Sequence, residues 1–177
     1  MSMRQKGLAV LAIQLALVLS IAVKYAWERH HCPMVWTRVN QFDPFQPIRG
    51  RYLAMDLQAN ACGLSQSDET ELGPGSFDTR RWRVVPAVRN GELTGRVVGE
   101  TYAGPTQQLI WANSVSCNEA VLSGTSEFFV PEHAKSPFQR KADQQLWALV
   151  TVPPSGAPRP VKLAVSDATG FHVLNLD

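Results

Sequence analysis

The stretch FDPFQPIRGRYLAMDL, residues 42–57, decides how this chain is read. Pro44 and Pro47 push the residues before them out of the helical region, so the entry is extended and turn-prone. Arg49-Gly50 reads as a turn, with Gly50 free to take a positive φ. From Arg51 the chain alternates. Leu53, Met55 and Leu57 fall on one face, with Tyr52, Ala54 and Asp56 on the other. That period of two predicts a β-strand with one buried face.

The segments around it read the same way. Val35, Trp36, Thr37 and Val39 predict an earlier strand. Residues 64–78 are polar and bear Gly and Pro, as an exposed loop does. Asn90-Gly91 joins two β-type runs, residues 82–89 and 92–98, and predicts a hairpin because both turn positions tolerate positive φ. Pro86 inside the first arm marks an edge strand or a bulge. Further short strands are expected at 108–112, 120–122, 127–130, 145–152, 161–165 and 171–176. Pro131, Pro153-Pro154 and the turn at 167–170 punctuate them. Residues 134–144 read as a short helical or coil excursion. Short strands at roughly ten-residue spacing predict a mainly β domain, an antiparallel sandwich or small barrel.

Residues 7–23, GLAVLAIQLALVLSIAV, carry no charge. As a helix they span roughly 25 Å, at the short end for a bilayer core of about 30 Å. Tyr25 and Trp27 follow at the position of an interfacial belt. The expected organisation is a transmembrane anchor in residues 1–29 and an extracytoplasmic β domain in 30–177. Arg4 and Lys6 favour a cytoplasmic N-terminus. Two other readings remain open. Ser20-Ile21-Ala22 offers a signal-peptidase site after Ala22, and the segment also reads as the buried helix of a cytosolic domain.

Charge and cysteines narrow the function. Of 17 basic and 15 acidic residues, Arg4, Lys6, Lys24, Arg29 and Glu28 lie in the first 29, which leaves the domain near −1. A nearly neutral domain disfavours nucleic acid, which demands a clustered basic face. The dense run Arg80-Arg81-x-Arg83 reads as a solvated strand edge. Cys32, Cys62 and Cys117 all follow the apolar segment and would meet an oxidising compartment. Spacing does not fix their connectivity. Cys62–Cys117, both in polar loop-like surroundings within the domain, is the favoured pair.

The segment at 50–57 resembles the GDYXXLXY family of bacterial membrane-anchored proteins, whose motif is Gly-Asp-Tyr-x-x-Leu-x-Tyr after an Asp-Pro and an Arg. Asp43-Pro44, Arg49, Gly50 and Tyr52 match. Arg51 stands for the family Asp, Met55 for Leu and Leu57 for the last Tyr. Phe128-Phe129-Val130-Pro131-Glu132 is similar to the family's aromatic-aromatic-Val-Pro-Glu segment, with His133 where Gly is usual. The resemblance implies a bacterial inner-membrane location, a single pass, a periplasmic domain and an integral membrane protein as partner. It implies no reaction.

Asp43, Arg49, Gly50, Arg51, Tyr52, Asp56 and Glu132 are the candidate partner-binding residues. A structural reading competes: Asp43 caps a turn, Arg49 pairs with a carboxylate, and Tyr52 fills the core with its hydroxyl bonded. His30-His31-Cys32 holds metal-capable groups, but adjacent residues rarely converge on one ion and zinc sites use separated pairs; it reads as an interfacial collar. No metal, cofactor or catalytic residue is expected, and the residues do not say whether a small molecule binds. The expected function is a non-catalytic, membrane-anchored interaction or accessory module. The alternative is a membrane-tethered hydrolase or peptidase of Ser-Lys type, with Lys162 in a β context as its lysine.

Overall fold

Alternation becomes burial along β2 (Tyr52–Ala59). Leu53, Met55, Leu57 and Ala59 are buried, and Ala54, Asp56 and Gln58 between them are only partly covered. A computed structural model describes residues 3–41, 52–64, 79–130 and 143–175 of the chain. Two units are present, Met1–Cys32 and Pro33–Asp177. The first is helix α1 (Met3–His31), which continues past the uncharged run through Tyr25 and Trp27. Within residues 5–31 an 18-residue stretch has a mean hydropathy of 2.2, apolar enough to cross a membrane.

Among the described residues, the second unit is all β apart from a single 3-10 turn at Cys117–Glu119. Besides β2 it contains β1 (Met34–Gln41), β3 (Thr79–Arg89), β4 (Glu92–Val97), β5 (Gln107–Ala112), β6 (Ala120–Phe129), β7 (Gln145–Thr151), β8 (Arg159–Asp167) and β9 (Gly170–Val173). They form one antiparallel sheet in the order β4-β3-β5-β6-β2-β1-β7-β8-β9, which does not close.

Strand β1 belongs to two arms of this sheet. Met34 to Arg38 pair with β7, and Val39 to Gln41 pair with β2. The β2 arm curls until its far strand β4 meets the end of β2. There Asn60 N–H donates to Leu93 O at 2.7 Å and the Thr94 hydroxyl donates to Asn60 O at 2.8 Å. One apolar core runs through both arms, from Leu57, Trp82 and Leu109 to Leu146, Val150 and Leu163.

Turn chemistry explains the connections. Asn90 and Gly91 adopt φ of 53° and 78° between Arg89 and Glu92, the expected hairpin. Pro86 lies beyond Val84, the last β3 residue that β5 covers, so its missing N–H falls where β3 has a strand on one side only. The runs at 120–122 and 127–130, read from the sequence as two strands, belong to one. Between the pairs Met55–Ser126 and Leu57–Leu122, β2 spends one residue and β6 three. Gly124, at φ 111°, takes the positive-φ position of this bulge.

The basic run of β3 lies where only β5 pairs with the strand, since β4 joins from Val84 onward, so it falls on an edge as expected, but its arginines are partly covered and not fully solvated. The Arg83 guanidinium reaches the Thr106 hydroxyl at 3.1 Å, Glu100 O at 3.4 Å and Tyr102 O at 3.1 Å, and so ties down the β4–β5 connection. Arg80 sits 5.1 Å over the Trp111 ring.

Candidate functional site

On β1 the inward positions hold Val35, Thr37 and Val39, all buried. Trp36 and Arg38 therefore point to the other face, opposite Leu149 and Trp147 of β7. Phe171 of β9 completes a cluster. Its ring meets Trp36 edge-on at 5.0 Å and Trp147 edge-on at 5.9 Å, the geometry that aligns the positive edge of one ring with the negative face of the next. Arg38 lies 5.3 Å over the Trp147 ring and 3.5 Å from Glu119 Oε1. Trp147 Nε1 donates to the Ser166 hydroxyl at 2.9 Å. Around this cluster Met34, Phe171 and Val173 stay 46–53% exposed.

Beside the cluster the two arms separate. β1 leaves β2 at Val39, and a cleft of about 140 Å³ opens in the fork. Trp36, Arg38 and Trp147 form one wall; Gln58, Asn60, Glu92 and Asn118 form the other. The Thr37 hydroxyl bonds across the fork to Gln58 O. Asn60 is fixed on both ends, since its Oδ1 accepts from Cys62 N–H at 2.7 Å and its amide donates to Glu92. A disulfide joins Cys62 to Cys117, with Cα atoms 5.0 Å apart, and Cys32 is free. The bridge thus ties the chain just after Asn60 to the chain just before Asn118.

A second polar constellation closes the β8–β9 turn. The Thr169 hydroxyl and backbone N–H both donate to Asp167 Oδ1, and His172 Nε2 lies 3.6 Å from the same oxygen. These bonds, the hydroxyl's first, hold the Asp167 carboxyl at about 2. Asp167 and His172 have no third metal-capable neighbour among the described residues, and His30, His31 and Cys32 form no such group either. His31 instead stacks on Trp27 at 4.8 Å.

The candidates named from the sequence separate into two sets. Asp43, Arg49, Gly50, Arg51 and Glu132 lie outside the described residues. Tyr52 opens β2 opposite Phe129, and Leu53 stands opposite Phe128, so the two resemblance segments meet as paired strands. Asp56 sits on β2 opposite Asn40 and beside the β6 bulge. The register aligns Tyr52 with Phe129, which is 55% exposed, whereas Leu53 is fully buried. Lys162 is exposed.

The aromatic cluster was missed in the sequence, although a signal was present. Trp36 shares parity with Arg38, and Trp147 with Gln145, so both tryptophans are out of phase with the buried rows. Set against protein-family models, curated proteins and solved structures, the chain has no match.

Proposed function

We propose that this protein is a single-pass anchored module of the GDYXXLXY kind, held in a bacterial inner membrane with its β domain on the periplasmic side. Its work is non-catalytic: it docks an integral membrane protein and acts as that partner's accessory. The observation that carries this reading is the exposed aromatic face of β1, β7 and β9. Met34, Phe171 and Val173 leave apolar surface in water on the strands that border Trp36 and Trp147, and exposed apolar patches mark interaction sites in folded proteins. Arg and Trp together are also the residues that dominate binding energy at protein interfaces.

The Ser-Lys alternative draws no support from the lysine that suggested it. A lysine base needs burial to lower its proton affinity, and Lys162 is exposed.

The test is site-specific photo-crosslinking from position 171 in intact membranes, with position 115 as a control; Val115 is 42% exposed and lies outside β1, β7 and β9. A discrete crosslink to one membrane protein from 171 and none from 115 is expected. Equal labelling from both positions, or none from either, overturns the docking face.

A further inference from the structure

We propose that the cleft in the β1–β2 fork binds a neutral pyranoside, a single sugar ring of a glycan. Its size comes first. About 140 Å³ is well short of the ~300 Å³ at which drug-sized pockets begin, so it takes one ring and not a larger molecule.

The lining chooses the chemistry. Trp36 and Trp147 line the cleft, Trp147 with Arg38 over one face of its ring, and the negative π-face of an aromatic ring attracts the weakly positive C–H groups on one side of a sugar ring. The opposite wall carries side-chain amides, Gln58, Asn60 and Asn118, which donate and accept hydrogen bonds as a ring of hydroxyls requires. Gln58 Nε2 bonds Asn40 at 3.2 Å, while its Oε1 is buried without a hydrogen-bond partner among the described residues.

Other ligand classes fit less well. An anion such as a phosphate ester needs a free cation, and Arg38 is already engaged by Glu119 and by the Trp147 ring. Glu92 adds a negative charge on the facing wall. A purely apolar ligand would leave the amides unpaired at the same desolvation cost. The walls are also fixed in advance by the Cys62–Cys117 bridge and by the Asn60 bonds, which lowers the ordering cost of binding.

The test uses the full chain in amine-oxide micelles, because alkyl-glycoside detergents would themselves compete. Cellobiose, maltotriose and chitotriose are titrated and followed by saturation-transfer NMR, with adenosine as the aromatic-ligand control. At least one sugar should bind with a Kd near 1 mM, a typical weak affinity of about −4 kcal/mol, and its ring C–H protons should receive the transfer. Asn118→Ala, at an exposed position outside the core, should weaken that binding at least about tenfold with the melting temperature unchanged. Trp147→Phe should retain it better than Trp147→Ala. Binding of none of the three sugars, an unaltered affinity in Asn118→Ala, or a stronger response to adenosine would each overturn the assignment.

Discussion

Tyr52 lies directly across the β2–β6 ladder from Phe129. This pairing brings together the two stretches that set the chain's resemblance to a family, and it does so by backbone hydrogen bonding. One step further along, Leu53 faces Phe128 on the core side, and Leu53 is fully buried. The same ladder therefore contains a scaffold row and a surface row. Leu53→Ala should destabilise the domain by about 2–5 kcal/mol through lost transfer energy and a cavity. Phe129→Ala, at a half-exposed site, should cost under ~1 kcal/mol. Chemical denaturation of the two variants checks this. Loss of a membrane partner in Phe129→Ala with stability intact would assign the surface row to recognition.

Two glycines separate strain from space. Gly91 holds φ of 78° with open room around it, so Gly91→Val should cost more than about 1 kcal/mol from backbone strain alone. A Cβ at Gly95 would lie 2.7 Å from Val84 Cβ, so Gly95→Ala should cost about 1–3 kcal/mol by overpacking. Adding Val84→Ala should recover part of the second loss and none of the first. A double-mutant cycle on denaturation midpoints reads the difference.

Peptide mapping under non-reducing conditions should recover the Cys62–Cys117 peptide and alkylated Cys32. Reduction should then lower stability by about 4 kcal/mol, the chain-entropy value for a loop of this length. Equal midpoints before and after reduction would deny the bridge that role.

Acid should act on the β8–β9 turn. Asp167 is held at about 2, chiefly by the Thr169 hydroxyl and then by the Thr169 backbone N–H. The unfolded carboxyl titrates near 3.9. A depressed folded value stabilises the protein above the unfolded one, and this contribution disappears as pH falls from about 4 to about 2. Thr169→Val should raise the Asp167 titration toward the ordinary carboxylate range and flatten stability over that interval. Carboxyl NMR titration follows the first change and acid denaturation the second. An unchanged Asp167 titration would exclude the hydroxyl as the main cause.

Much of this architecture could be read in the residues, and the limits of reading are physical. Period-two alternation located β2, and Asn90-Gly91 located the β3–β4 hairpin, because both signals are local. The join across the β6 bulge escaped, since a two-residue excess at Gly124 breaks the alternation that identifies a strand. The role of Arg83 escaped because its partners, Glu100, Tyr102 and Thr106, reach it only after the chain turns back. The fork and its cleft lie deeper still. They exist because β1 changes partner at Val39, a choice made between strands distant in sequence.

That exchange of partners sets an order of assembly. β1 is the first strand of the domain to be synthesised, yet the residues that complete its Met34–Arg38 half, Gln145 to Thr151, are among the last. Until they emerge, that half keeps an unpaired edge bearing Trp36, open to pairing with other chains. Contacts of such long sequence separation also fold slowly. A chain truncated before β7 would therefore leave half of β1 exposed as an aggregation-prone edge, and productive folding waits on the C-terminal third of the sequence.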